Sequence, residues 1–153
     1  MKNSMMILIP CFFISISCFC QDKQLSAKIL TQLDNAEKEM INALAGGDSI
    51  AFKKIAGSDY TDINAAGIRK DLQAMLDDVP NFKGLSVHFS EQSQRVYGSF
   101  VLRTGRAQLS ADGQLVAEVF YTQGWYYKNN KWQFVHWQGT MTREFMQRNS
   151  QKD

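Results

Sequence analysis

The residues in this chain whose types could do chemistry fall into three groups. Tyr60, Asp62 and Asn64 alternate along one short segment and so share one strand face, where a hydroxyl, a carboxyl and an amide could orient a polar ligand or simply solvate a turn. His136 follows Trp132 and Phe134 and precedes Gln138 at even spacing, which places all four on one face of a strand. A histidine among aromatics could act as a general base or be a hydrogen-bonded wall residue. Arg95, Arg103 and Arg106 could receive a carboxylate, and their strand reads equally well as a solvated face or a dimer rim. His88 alternates with Val87 and Phe89 and is expected on the exposed face. Two histidines on separate strands, with no third nitrogen or thiolate ligand at a set spacing, give no metal signature, and no cofactor motif is present.

These groups need a scaffold, and the stretch from Val116 to Thr140 supplies its centre. Two runs dense in Val, Phe, Tyr and Trp flank Lys128-Asn129-Asn130-Lys131, and all three tryptophans, Trp125, Trp132 and Trp137, lie in them. Asparagine tolerates the positive φ of a tight turn, so the pattern predicts a long antiparallel hairpin. Both alternating faces are apolar: Phe120 and Tyr126 lie opposite Tyr121, Trp125 and Tyr127, while Trp132 and Phe134 lie opposite Val135 and Trp137. A sheet apolar on both sides needs two covers. Helices from upstream can supply one, and a second subunit or a ligand the other.

Upstream, Leu25, Ile29, Leu33, Ala36, Met40 and Leu44 recur at helical steps between Asp22 and Gly46. Gly46-Gly47 can close that helix in a left-handed cap, and Asp48 can start a second through Ile50, Phe52 and Ile55. No Lys-Ser/Thr follows these glycines, so they are not a phosphate loop. A strand over Asp59 to Asn64 and a turn at Ala65-Ala66-Gly67 come next. A third helix is expected from Ile68 through Val79, stopped by Pro80-Asn81. Strands follow at Leu85 to Ser90 and Arg95 to Arg106, joined by a polar link over Glu91 to Gln94, with a turn at Asp112-Gly113. The tail beyond Thr142 is expected to fray. The order predicts an α+β fold, helices packed on one face of a strongly curved antiparallel sheet.

The first twenty residues read as an export signal, with Lys2 before the apolar run Met5 to Ile16 and a small-x-small site at Cys18-Phe19-Cys20. The expectation is one domain over residues 21–153, periplasmic or secreted, with lipoprotein processing at Cys18 ranked second. Removing the signal would take all three cysteines and leave basic and acidic residues nearly equal in number. That balance, with no basic cluster, argues against nucleic acid as a partner.

Ala43-Leu44-Ala45-Gly46-Gly47-Asp48 followed by Phe52, the segment Tyr60 to Gly67, Gly124-Trp125-Tyr126-Tyr127-Lys128 and Lys131-Trp132-Gln133-Phe134-Val135-His136-Trp137-Gln138 together resemble the NTF2-like superfamily, and within it SnoaL-like and DUF4440-type domains. The resemblance implies a cone of three N-terminal helices on a bent sheet, a cavity at the wide end and, in many relatives, a homodimer through the sheet face. Ketosteroid isomerases of this superfamily use an aspartate base and an oxyanion hole of tyrosine and protonated aspartate. Aligned on the Gly-Asp junction and Gly67, those positions carry Asn64, Met40 and Phe120, and an amide cannot abstract a carbon-bound proton. A shift of two brings in Asp62 or Glu118 without restoring the set. The Asp-Arg-Asp arrangement of limonene epoxide hydrolases is not visible as a spaced motif.

Three functions stay open on the sequence. The first is a cavity for a small, largely apolar molecule, with Tyr60, Asp62, Asn64, Trp132, Phe134, His136 and Gln138 around it. The second is an isomerase, cyclase or hydrolase relying on Asp62 or His136. The third is a dimeric interaction module with its cavity filled by side chains.

Overall fold

The computed structural model describes residues 25–150; the expected export signal and its cysteines lie outside them. Helix α1 (Ala27–Gly46) starts where the Ser26 hydroxyl accepts from the Ile29 amide, and it ends on Gly47 at a φ of 66°. Asp48 then caps α2 (Ser49–Ile55) by accepting from the Ala51 amide. Both boundaries follow from residue chemistry: a side-chain acceptor for the free amides of a first turn, and a residue without Cβ where the chain turns left-handed.

Strand β1 (Ala56–Ile63) leads through the Ala65-Ala66-Gly67 turn to β2 (Arg69–Asp71), and Asp71 caps α3 (Leu72–Asp78). The expected third helix therefore starts four residues later than its spacing implied. Ile68, counted as its first apolar position, is exposed, and the next three residues pair with β1. A 3-10 turn over Val79–Phe82 carries Pro80 and ends the helical half. Strands β3 (Ser86–Tyr97), β4 (Phe100–Ala111), β5 (Gln114–Lys128) and β6 (Lys131–Met141) make up the rest of one curved sheet, in the order β2-β1-β6-β5-β4-β3. The hairpin turns are as expected: Asp112, Gly113, Asn129 and Asn130 all have positive φ, the geometry whose twist matches the flanking strands.

Three features depart from the sequence expectation. Strand β1 pairs parallel to β6, so the sheet is not wholly antiparallel. The polar link at Glu91 to Gln94 lies inside β3, where two residues oppose one on β4 and Glu91 takes a φ of 53°. The tail is helical as far as Ser150: α4 (Arg143–Ser150) is anchored by buried Phe145 and capped by Thr142, whose hydroxyl faces the Phe145 amide at 3.2 Å.

The core lies between the three upstream helices and the concave face of the sheet, where Leu33 of α1, Phe52 of α2, and Trp125 and Phe134 of the sheet lose essentially all contact with water. Burying side chains of this size stabilises a fold by roughly 1.5–3 kcal/mol each. The aromatic packing is specific: the Phe52 ring meets Tyr60 and Phe134 edge-on, and Trp125 lies 4.7 Å from Phe134 between centroids.

Candidate functional site

Between the helices and the concave sheet lies a cavity of about 370 Å³. Met40, Ile41 and Leu44 of α1, Met75 of α3, Val87 and Phe89 of β3, Val119 of β5 and Phe134, Trp137 and Met141 of β6 give it an almost wholly apolar wall. Tyr60, Asp62, Asn64, Lys70 and Asp78 bring polar groups to it. Its size lies within the range of small-molecule sites, and its build, an apolar body with few polar groups, is theirs as well.

The first expected group divides. Asn64 reaches the cavity, but its Oδ1 accepts from the Ala66 and Ile68 amides, both at 3.0 Å, so its side chain shapes the turn. Tyr60 is buried against Phe52 and Phe134, and burial, followed by the nearby Asp62 charge, raises its hydroxyl pKa well above the ordinary value. Asp62 is 6% exposed and faces the cavity. In the sheet it lies between Lys70 of β2 and Trp137 of β6, its register partners on either side. Burial pushes its pKa from 3.8 up to about 6, against a lowering pull from Lys70 and with a raising push from Asp78. Lys70 does not neutralise it, because the Lys70 ammonium is bonded to Asp78. That bond lowers the pKa of Asp78.

The second group is split by a bulge. On β6, Val135 has no partner on β5: Gly124 pairs with His136 and Trp125 with Phe134. One unpaired residue shifts the alternation by one, so Trp137, Gly139 and Met141 join Phe134 at the cavity while His136 and Gln138 turn to the opposite face. The expectation that His136 shares a face with Trp132 and Phe134 fails for this reason. Trp132 is buried beside the cavity rather than in its wall, with its indole N–H donating to the Ile29 carbonyl at 2.9 Å. Among the isomerase-aligned positions, Met40 lines the cavity and Phe120 lies exposed on the outer face.

The arginines form two clusters that spacing did not reveal. Arg103, buried, bonds Asp34 and, at 2.9 Å, Glu37, both from α1, and Gln94 accepts from it as well. Gln92 ties Glu37 to the Tyr121 hydroxyl. A carboxylate-arginine-carboxylate group thus exists here, but it stands behind the cavity wall. Tyr121 stacks on Trp137 at 5.2 Å and packs on Phe89, and these rings separate cluster and cavity. Burial raises the Glu37 pKa even so, although Arg103 pulls it down. On the outer face, Glu118 accepts from Gln108 at 2.9 Å, Thr142 at 2.8 Å and Arg106 at 3.1 Å, and these donors hold its pKa below the ordinary value. Among the described residues no group of three His, Cys, Asp or Glu side chains is arranged to hold a metal ion. No helix among them is long and apolar enough to cross a membrane.

No family model matches the chain, and no curated protein matches it in sequence. Solved structures do match in shape. An NTF2-like protein from Cytophaga hutchinsonii is 13% identical, with 77% of this chain and 100% of that one covered at a TM-score of 0.65. A protein of unknown function with a cystatin-like fold from Nostoc punctiforme is 13% identical over 78% of this chain and 95% of that one, TM-score 0.66. An NTF2-like protein of unknown function from Pseudomonas putida is 12% identical over 76% and 88%, TM-score 0.64. The chain has the NTF2-like fold. At such identities the likeness concerns fold alone, and the chemistry must come from the site.

Proposed function

We propose that this is an exported NTF2-like domain that holds a small, largely apolar molecule in its cavity, with the Asp62 carboxyl as the polar anchor. The observation that carries the reading is a buried carboxyl facing an apolar cavity whose neighbouring cation is already committed to Asp78. A buried polar group without a partner is costly, and a ligand that satisfies it recovers that cost on binding. The interaction-module reading, which needs a cavity filled by side chains, is the weaker for the open volume of about 370 Å³.

Gly139 offers a direct test. A Cβ there would meet Trp137 and Val119 at 3.4 and 3.6 Å, ordinary contact distances, so a larger side chain can enter the cavity without striking backbone. The neutral apolar fluorophore N-phenyl-1-naphthylamine should bind the native protein stoichiometrically and bind Gly139→Leu at least tenfold more weakly. Absence of binding to native protein, or equal binding by the variant, would remove the reading.

An enzymatic reading keeps one specific observation. A carboxyl that burial pushes up to about 6 at an apolar cavity is suited to accept and return a proton. It rests on Asp62 alone, since His136 faces away from the cavity.

We assign the outer sheet face to a second copy of the chain. Phe120 is 49% exposed and Tyr126 39%, with Leu115 and Val116 exposed on the same strand, and such a patch on a curved sheet is what a two-fold partner would cover.

A further inference from the structure

The charges at the cavity define the ligand more narrowly, on the premise that the cavity is a ligand site. Three charged side chains line it: Asp62, Asp78 and Lys70. With Lys70 and Asp78 bonded to each other, their charges offset, and the field left at the cavity is that of the Asp62 carboxylate. From this geometry we infer that the ligand is an amphiphilic amine, an apolar body ending in one ammonium group that pairs with Asp62.

Four features agree on that class. An anionic head would meet Asp62 with like charge inside a low-dielectric wall, which is strongly unfavourable. A neutral hydroxyl could donate one hydrogen bond but would leave the ionised carboxylate without a counter-charge. The rings near Asp62 are of the kind that hold cations: Trp137 is its register partner on β6, and Tyr60, two residues away on its own strand, packs on Phe134 with centroids 5.2 Å apart. The rest of the wall is aliphatic and aromatic, with Met40 and Met75 able to adapt to an alkyl or ring body.

Ionisation of Asp62 sets the pH dependence. The groups that face it are Lys70 from β2, Asp78 from α3 and the un-ionised Tyr60 hydroxyl from β1. Asp62 is largely neutral at pH 5 and largely charged at pH 7.5, whereas an alkylamine is cationic at both. Amine binding should therefore strengthen as pH rises across this interval, and alcohol binding should not.

Calorimetry with n-octylamine, 1-octanol and octanoate tests the inference on the full chain. At pH 7.5 octylamine should bind about tenfold more tightly than octanol, and octanoate more weakly than either. The amine preference should shrink at pH 5 and vanish in Asp62→Asn, with a cooperative urea-unfolding transition of that variant as the check on folding. Lys70→Met, which frees Asp78, should increase the preference. If octanol or octanoate binds native protein as well as octylamine does, the amine assignment falls while the cavity reading stands. If none of the three binds, both fall.

Discussion

Asp62 and Glu118 are both buried carboxyl groups on one sheet, 6% and 3% exposed, and they titrate in opposite directions. Asp62, on the concave face, is pushed up to about 6 because burial dominates. Glu118, on the outer face, is held down because Gln108, Thr142 and Arg106 all donate to it. Burial alone therefore does not fix the direction; the donors that meet the carboxylate do. Glu118 spends its acceptors fastening α4 to the sheet, while Asp62 faces the cavity, and on the proposed function its acceptors are the ones a ligand would meet. The Glu37-Arg103 cluster stands between the two: its partners come from the fold and hold α1 to β3 and β4, yet burial outweighs them and raises the Glu37 pKa, and Glu37 Oε1 is left without a hydrogen-bond partner.

The contrast predicts opposite mutational outcomes. Removing the cation of the most buried cluster should hurt most: Arg103→Met strands Glu37 and should cost about 3–5 kcal/mol in urea unfolding. Glu118→Ala should cost about 3 kcal/mol by leaving Arg106 and Thr142 without their acceptor and loosening α4. Because the folded pKa of Glu118 is depressed, the stabilisation linked to its ionised form is present above its ordinary 4.5 and is lost as pH falls below that. Asp62→Asn should do the reverse. A raised folded pKa penalises the charged form, so stability falls as pH rises from 3.8 through 6. The variant should gain on the order of 2–3 kcal/mol at pH 7 and lose that gain below pH 4. Loss of stability in Asp62→Asn at neutral pH would break the comparison. Phe120→Ser should shift stability by less than about 1 kcal/mol while weakening self-association in sedimentation velocity, which tests the assignment of the outer face.

How much of this the sequence displayed depends on the range of the interactions. The α1 and α2 boundaries, the Asp112-Gly113 and Asn129-Asn130 turns and the outward Phe120 and Tyr126 were legible, because each rests on neighbours within a few residues. Alternation along β6 put His136 at the cavity, since a period of two carries no mark of the one unpaired residue, Val135, that resets it. Parallel pairing of β1 with β6 joins segments some 75 residues apart and leaves no local trace. Helix α4 looked like a polar tail because its fixing points are Phe145 and the bond from Thr142 to Glu118, 24 residues upstream. Tyr60 and Asp62 share a strand face, as their alternation implied, and both line the cavity. That Asn64 is satisfied by its own turn, while burial outweighs the pull of Lys70 on Asp62, is visible only in three dimensions.

The most direct measurement is a carbon-detected NMR titration of the carboxyl groups, following Asp62 and Glu118 in one sample. The account predicts a midpoint near 6 for Asp62 and one below the usual glutamate range for Glu118. An Asp62 midpoint near its ordinary 3.8 would mean that the carboxyl is solvated or paired, and would contradict the claim that it waits in an apolar cavity for a ligand.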